Sequence, residues 1–167
     1  MTATYEKIAT QTTSNGNTSI TFSSISGSYT DLVLIVSVKG NASLNLGMRF
    51  NSDTGNNYSS TYIYGDGTNV GSGRYTTQDF IRLSNYTEIS NTNYDIKIIN
   101  INNYANTTTY KVALTNAKTA VNPSTAGVEL YAGLWRNTNA ITAIEIYVRN
   151  SSYAAGGTLT LYGIKAE

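Results

Sequence analysis

The chain has 167 residues, a formal net charge of +1 and only 13% charged residues, so one domain is expected, with no electrostatic basis for a nucleic-acid or membrane partner. It contains neither cysteine nor histidine, which excludes a disulfide framework, a thiolate zinc site, a cysteine nucleophile and a Ser-His-Asp triad. Fourteen tyrosines and a single proline favour strands and predict an all-β fold.

The first half of the chain predicts an edge strand followed by four further strands. Residues 1–13 are expected to form an N-terminal arm or edge strand, and the Asn15-Gly16 pair that follows favours a tight turn. Residues 31–38 (DLVLIVSV) form the longest apolar run, and their β-branched side chains predict a central strand that is buried on both faces. The other strands predicted in this half are 18–23, 44–50 and 58–64.

The second half of the chain predicts two loops and six strands. The loops are a glycine-rich segment, residues 65–73, and a polar segment, residues 84–93. The strands are 80–83, 95–101, 110–115, 128–135, 141–148 and 158–165, and the last is expected to lie beside the central strand. Together the elements predict an antiparallel two-sheet β-sandwich of the jelly-roll kind, with nine or ten strands and a single domain over residues 14–167.

Two polar segments are candidate ligand sites. Asp53, Asn56 and Asn57 surround a glycine, which is compatible with calcium binding, but a single carboxylate without a closing glutamate favours a turn built by Asx side chains. Arg74 follows a glycine cluster, as in phosphate-binding loops, but no helix is predicted after it, which favours a surface loop. We therefore expect no metal and no cofactor.

Aromatic side chains form a second group of candidates. Tyr62 and Tyr64 are two residues apart on one strand and so share a face, with Tyr58 at the start of the same strand. Three roles are open for these tyrosines: cross-strand packing, which is favoured, a subunit interface, or a platform that stacks on sugars. Trp135 lies in an apolar strand and is expected in the core.

The acidic residues give no support for catalysis. A glycosidase needs two carboxyl groups about 5–9 Å apart in a cleft. The candidate acids are scattered along the chain, and no spacing forces any two together: Asp53, Asp66, Asp79, Glu129 and Glu145. With no histidine or cysteine available as a base or nucleophile, we expect that the protein is not an enzyme.

Several stretches together resemble a family of small structural proteins of tailed phages, notably phages of cyanobacteria and other aquatic bacteria. They are residues 28–34 (SYTDLVL), 49–59 (RFNSDTGNNYS), 103–111 (NYANTTTYK), 133–136 (GLWR) and 161–166 (LYGIKA). The resemblance implies a β-sandwich virion component that is assembled in the host cytoplasm and located in the virion. It brings no catalytic residues.

Two functions follow as expectations. In the first, the protein is a capsid decoration or cement protein, a homo-oligomer (plausibly a trimer) that binds the major capsid protein or other virion proteins. In the second, it is a tail or fibre module that binds glycans of the host surface. The residues expected to contact a partner or glycan are Asp53, Asn56, Asn57, Tyr58, Tyr62, Tyr64 and Arg74.

Overall fold

The computed structural model describes residues 4–42, 45–84, 89, 91–119 and 127–165, which form twelve strands and no helix. The described part of the chain accordingly has no helix that could cross a membrane. The strands are β1 (Tyr5–Thr12), β2 (Ser19–Phe22), β3 (Asp31–Val38), β4 (Leu46–Phe50), β5 (Tyr58–Gly65), β6 (Val70–Gln78), β7 (Ile81–Arg82), β8 (Asp95–Asn102), β9 (Lys111–Thr119), β10 (Gly127–Trp135), β11 (Ile144–Val148) and β12 (Thr158–Ile164).

The strands form two sheets of unequal size, and all of their pairings are antiparallel. The large sheet has the order β1-β12-β3-β8-β9-β10-β5-β6, and the small sheet has the order β2-β11-β4-β7. Most connections pass from one sheet to the other, as they do in jelly-roll sandwiches. The predicted all-β, two-sheet antiparallel sandwich is confirmed, with twelve strands instead of nine or ten.

The glycine-rich segment explains part of the difference in strand number. Residues 70–73, predicted as loop, begin β6, and the connection from β5 is limited to residues 66–69. Gly71 pairs directly with Tyr64, and Gly73 with Tyr62. A Cβ atom on Gly71 would lie 2.6 Å from Cε1 of Tyr64, so the tyrosine ring occupies the space of the missing side chain. The glycines are thus strand residues covered by cross-strand aromatic rings.

Strand β3 lies inside the large sheet, paired with β12 on one side and β8 on the other. The prediction that the C-terminal strand lies beside it is confirmed. The prediction that β3 is buried on both faces holds on the outer side at Val33, which is 6% exposed, but is wrong at Ile35, which is 37% exposed there. No second layer of described residues covers that side at Ile35, whereas Leu32, Leu34 and Val36 point into the sandwich and are fully buried.

The core lies between the two sheets and is closed at one end by aromatic rings. Trp135 is 1% exposed, which confirms its predicted core position. Its ring stacks on Tyr58 with a centroid distance of 6.2 Å and is tilted against Phe50 at 5.5 Å. Burial of three large rings contributes several kcal/mol of hydrophobic stabilisation, on the order of 2 kcal/mol each.

Candidate interaction surfaces

The Asp53 loop between β4 and β5 is held together by its own polar side chains. The Asp53 carboxylate accepts hydrogen bonds from the Gly55 backbone N–H at 2.8 Å, Asn57 Nδ2 at 2.9 Å and Trp135 Nε1 at 2.7 Å. Partial burial acts to raise the pKa of Asp53, but these bonds and one from Asn137 outweigh it, and the pKa is lowered. The carboxylate therefore joins the loop to the core tryptophan.

The other candidates from this loop differ in accessibility. Tyr58 is fully buried, and its hydroxyl donates to the Asp53 carbonyl oxygen at 3.1 Å. Burial strongly raises the pKa of this phenol. Asn56 is exposed, and its carbonyl oxygen accepts a hydrogen bond from Arg136 at 3.5 Å. No cluster of three or more acidic, histidine or cysteine side chains that could hold a metal occurs within the described residues.

Tyr62 and Tyr64 share the inner face of β5, as predicted, and lie in a cluster of rings. Tyr62 stacks on Tyr75 at a centroid distance of 5.6 Å and on Tyr131 at 5.1 Å, and it contacts Tyr64 at 6.4 Å. Arg74 lies on the opposite side of the sheet, where it is exposed and pairs with Thr61. The structure thus separates Arg74 from the two tyrosines by the thickness of the sheet.

The large sheet reverses the usual placement of charged and apolar side chains on three adjacent strands. Lys97 in β8 is 0% exposed, whereas its neighbour Ile96 is 48% exposed. In β10, Glu129 is buried while Val128 is 57% exposed. In β9, Lys111 is buried and Val112 is exposed. An antiparallel sheet with one face toward water ordinarily shows the opposite alternation.

The inward charges have polar partners within the sandwich. The Lys97 ammonium group forms an ion pair with Asp95, and both side chains are fully buried. Lys111 Nζ donates to the carbonyl oxygens of Thr109 at 2.7 Å and Thr138 at 3.0 Å, and burial lowers its pKa. Buried charges are costly unless they are paired, and these contacts, of which the ion pair lies within β8 itself, offset that cost.

The outward side chains form one continuous patch, which we name the large outer face. Register pairs join its members across the sheet, from Ile35 opposite Ile98 in β8 to Leu130 opposite Ile63 in β5. Its exposed apolar side chains are Ile35, Ile63, Val70, Ile96, Ile98, Val112, Leu114, Val128 and Leu130. The charged side chains on the outer side of the same strands, Asp31, Arg74 and Lys118, lie at the rim of the patch.

Shallow grooves cross the large outer face between these apolar side chains. One groove is lined by residues of β5, β9 and β10, among them two whose side chains lie on the inner face, Tyr64 and Glu129; the others are Ile63, Gly65, Asn116, Val128 and Leu130. A second is lined by Asn100, Asn102, Val112 and Leu114. An apolar centre with ridges, grooves and a charged rim is the anatomy of a protein–protein interface.

The outer side of the small sheet has a different character, and we name it the arginine–aromatic face. Arg49 lies over the Tyr147 ring with its Cζ atom 4.6 Å from the centroid, and it pairs with Asp79 and, at 3.9 Å, with Glu145. The Tyr147 ring covers Gly47, where a Cβ atom would lie 2.6 Å from Cζ of the tyrosine. This face is polar and charged, as expected for a solvated sheet surface.

Two further guanidinium groups meet at the same face. The Arg82 Cζ atom lies 4.0 Å from the centroid of Tyr75 and 5.3 Å from that of Phe80, and Arg149 lies 4.8 Å from Phe80. Burial and, second, the positive charge of Arg149 lower the pKa of Arg82. The Arg82 Nε atom is buried and has no hydrogen-bond acceptor among the described residues. A guanidinium group that stacks on an aromatic ring keeps its in-plane N–H donors available for anionic groups.

Sequence reasoning did not identify either face. The signal for the large outer face was the placement of Lys97 and Glu129 directly between apolar residues, Ile96 and Ile98 in one strand and Val128 and Leu130 in the other. The signal for the arginine–aromatic face was the alternation of arginine and aromatic residues near 80–82 and 147–149. No model of a known protein family matches this chain, and a search of curated proteins found no match.

Proposed function

We propose that this protein is a non-enzymatic structural component of a tailed-phage particle, a decoration protein that stabilises the capsid by binding the major capsid subunits. The observation that carries the proposal is the large outer face, which is broad, apolar at its centre and left uncovered by the described residues. Together with the resemblance of five stretches to phage structural proteins, it supports a function in assembly. Surfaces of this type bind other proteins.

The two sides of the sandwich can serve two different contacts. We assign the arginine–aromatic face to the shell, because it suits carboxylate groups on the capsid protein, and the large outer face to a partner with an apolar surface. Because the two faces lie on opposite sides of the sandwich, one can be occupied while the other stays open. A cement protein needs such an arrangement, since it must bind its own copies or a neighbour while it holds the shell.

Imaging of the phage particles that carry this protein tests the proposal. We expect density for the β-sandwich distributed over the icosahedral shell of a cryo-EM reconstruction. Density confined to the tail tip would contradict the decoration function and favour the glycan-binding tail module. Specific binding on a glycan array would then separate that alternative from a purely structural tail protein.

A binding assay with emptied heads tests the division between the two faces. We expect the double variant Arg82→Gln/Arg149→Gln to lose affinity for heads and the wild-type affinity to fall with added salt, because exposed charge pairs are screened. The matched control is Lys118→Gln, which removes a charge from the rim of the other face. Equal head binding by wild type and the double variant would contradict the assignment of the arginine–aromatic face to the shell.

A further inference from the structure

We infer that the large outer face binds a second copy of this chain, so that the protein forms a two-fold symmetric dimer with its large sheets packed face to face. The inference rests on the proposed function for its biological setting and names the first partner of that structural protein. It is argued from the reversed side-chain pattern, the size of the face and its composition.

The reversed pattern shows that the outward apolar side chains are not a by-product of the fold. Three adjacent strands place a charge inside and apolar residues outside, as at Lys97 between Ile96 and Ile98. Burial of charge has a desolvation cost that an apolar inner face would avoid. A sequence that keeps this arrangement over β8, β9 and β10 maintains an apolar outer surface, which is useful only if another surface covers it.

The size of the face matches a stable interface. The apolar side chains extend over six neighbouring strands, from β3 to β6. With strands about 4.8 Å apart and about 3.3 Å per residue, the patch measures roughly 20–25 Å in each direction. Its projected area is then on the order of 500 Å², and the accessible area of its ridges approaches the roughly 800 Å² per partner of a standard interface.

The composition of the centre favours an identical partner. The centre carries no charge, so it requires no partner of opposite charge. Asn100 pairs with Leu114, and Asn116 pairs with Ile98, which places two amides among apolar side chains at the middle of the face. An amide is both donor and acceptor, and can therefore bond to the same amide of a symmetry mate. A central asparagine of this kind sets register in other symmetric assemblies.

Two-fold symmetry follows from the number of patches. A two-fold dimer uses one self-complementary patch, whereas a closed ring of three needs two different complementary patches on each chain. Among the described residues, the exposed large apolar side chains outside the face are Tyr5, Tyr94 and Tyr110, which lie at or just before the starts of three different strands. They do not form a second patch.

Measurement of molar mass in solution tests the inference on the full chain. We expect a dimer by light scattering coupled to size exclusion, and by sedimentation equilibrium over a range of concentrations. Leu130→Glu is expected to raise the dissociation constant at least about 100-fold, because each chain would then bury an unpaired carboxylate in an apolar interface. Asn116→Asp, which keeps side-chain volume, should act in the same direction.

The control variant is Thr21→Glu, which adds the same charge at an exposed position of β2 on the small sheet. It should remain a dimer, and circular dichroism should show that all variants are folded. A wild-type monomer, a wild-type trimer, or a folded Asn116→Asp variant that dimerises like the wild type would each overturn the inference. If the protein is a dimer but is found only at the tail tip of the particle, the inference holds and the capsid function is rejected.

Discussion

The two outer faces of this sandwich are built from the same kind of antiparallel sheet but have opposite chemistry. On the small sheet, Arg49, Tyr147 and Glu145 point outward and apolar residues such as Ile144 and Ile146 point inward. On the large sheet, Ile96 and Ile98 point outward while Asp95 and Lys97 point inward. The first arrangement needs only water outside it. The second leaves apolar surface uncovered and buries charge.

The comparison shows that the inner face of a sheet can be recognised by the hydrogen-bond and ion-pair partners of its side chains, as well as by the polarity of those side chains. Lys97 and Lys111 are buried because specific acceptors, the Asp95 carboxylate and the Thr109 and Thr138 carbonyl oxygens, are present inside. The outward isoleucines have no such partner within the described chain. We take the uncovered apolar surface as the functional surface, because folding of the single chain does not require it.

The largest expected effect contrasts the two sides of strand β10. Trp135→Ala removes a fully buried ring and should lower the free energy of unfolding by about 3–5 kcal/mol. Leu130→Ala, on the outer side of the same strand, should cost less than about 0.5 kcal/mol when the protein is dilute. Urea unfolding at low and high protein concentration measures both. An equal cost for the two variants in dilute protein would contradict the assignment of the outer face.

The next prediction concerns acidic pH, which is expected to lower the stability of the fold without changing the association of two copies. The pKa of Asp53 is lowered in the folded protein, so its contribution is fully present above the unfolded value of about 3.9 and is lost as the pH falls through the lowered value. Asp53→Asn should cost about 1–3 kcal/mol at neutral pH, because four donors lose a charged acceptor. In urea unfolding, the free energy of unfolding of this variant should also fall less steeply with decreasing pH than that of the wild type.

Self-association should not follow the same pH dependence. The centre of the large outer face has no ionisable group, so the dimer dissociation constant should stay constant between about pH 5 and 9, a range far from the ordinary pKa values of aspartate and arginine. Sedimentation equilibrium at several pH values provides the measurement. A steep change within that range would show that titrating groups control the contact.

The smallest effect addresses the arginine–aromatic face alone. Gly47→Ala places a methyl group where the Tyr147 ring now lies, so the ring and the Arg49 stacked on it must move. We expect a loss of about 1 kcal/mol of stability, typical of mild overpacking, and weaker binding to heads. The dimer should be unaffected. Weakened dimerisation with unchanged head binding would reverse the assignment of the two faces.

Much of the fold could be predicted from the sequence because turns and strand runs are clearly marked. The strands at 31–38, 95–101 and 128–135, the position of β12 beside β3 and the burial of Trp135 follow from apolar runs and their boundaries. β6 was missed because Gly71 and Gly73 indicate a loop locally. Their place in a strand depends on the tyrosine rings contributed by β5.

The candidate site could be predicted only in part. The common face of Tyr62 and Tyr64 follows from the two-residue period of a strand, and the structure adds the rings of Tyr75 and Tyr131, which stack on Tyr62. The large outer face could not be predicted, because each face of β8 carries two isoleucines and two polar residues, so that either orientation of the strand looks acceptable. The ion pair of Lys97 with Asp95 lies within β8 and does not distinguish the two orientations, whereas the packing of Ile99 and Ile101 in the core does, and that is a tertiary contact.

The most direct test of the central claim is the solvent exposure of isoleucine methyl groups at high and low protein concentration. Nuclear magnetic resonance with a soluble paramagnetic agent gives this exposure for Ile63, Ile96 and Ile98, with buried Ile144 and the exposed Thr142 as references. We predict that the three outer methyl groups are shielded at high concentration and become exposed on dilution or in Leu130→Glu. Equal and full exposure at every concentration would contradict the account.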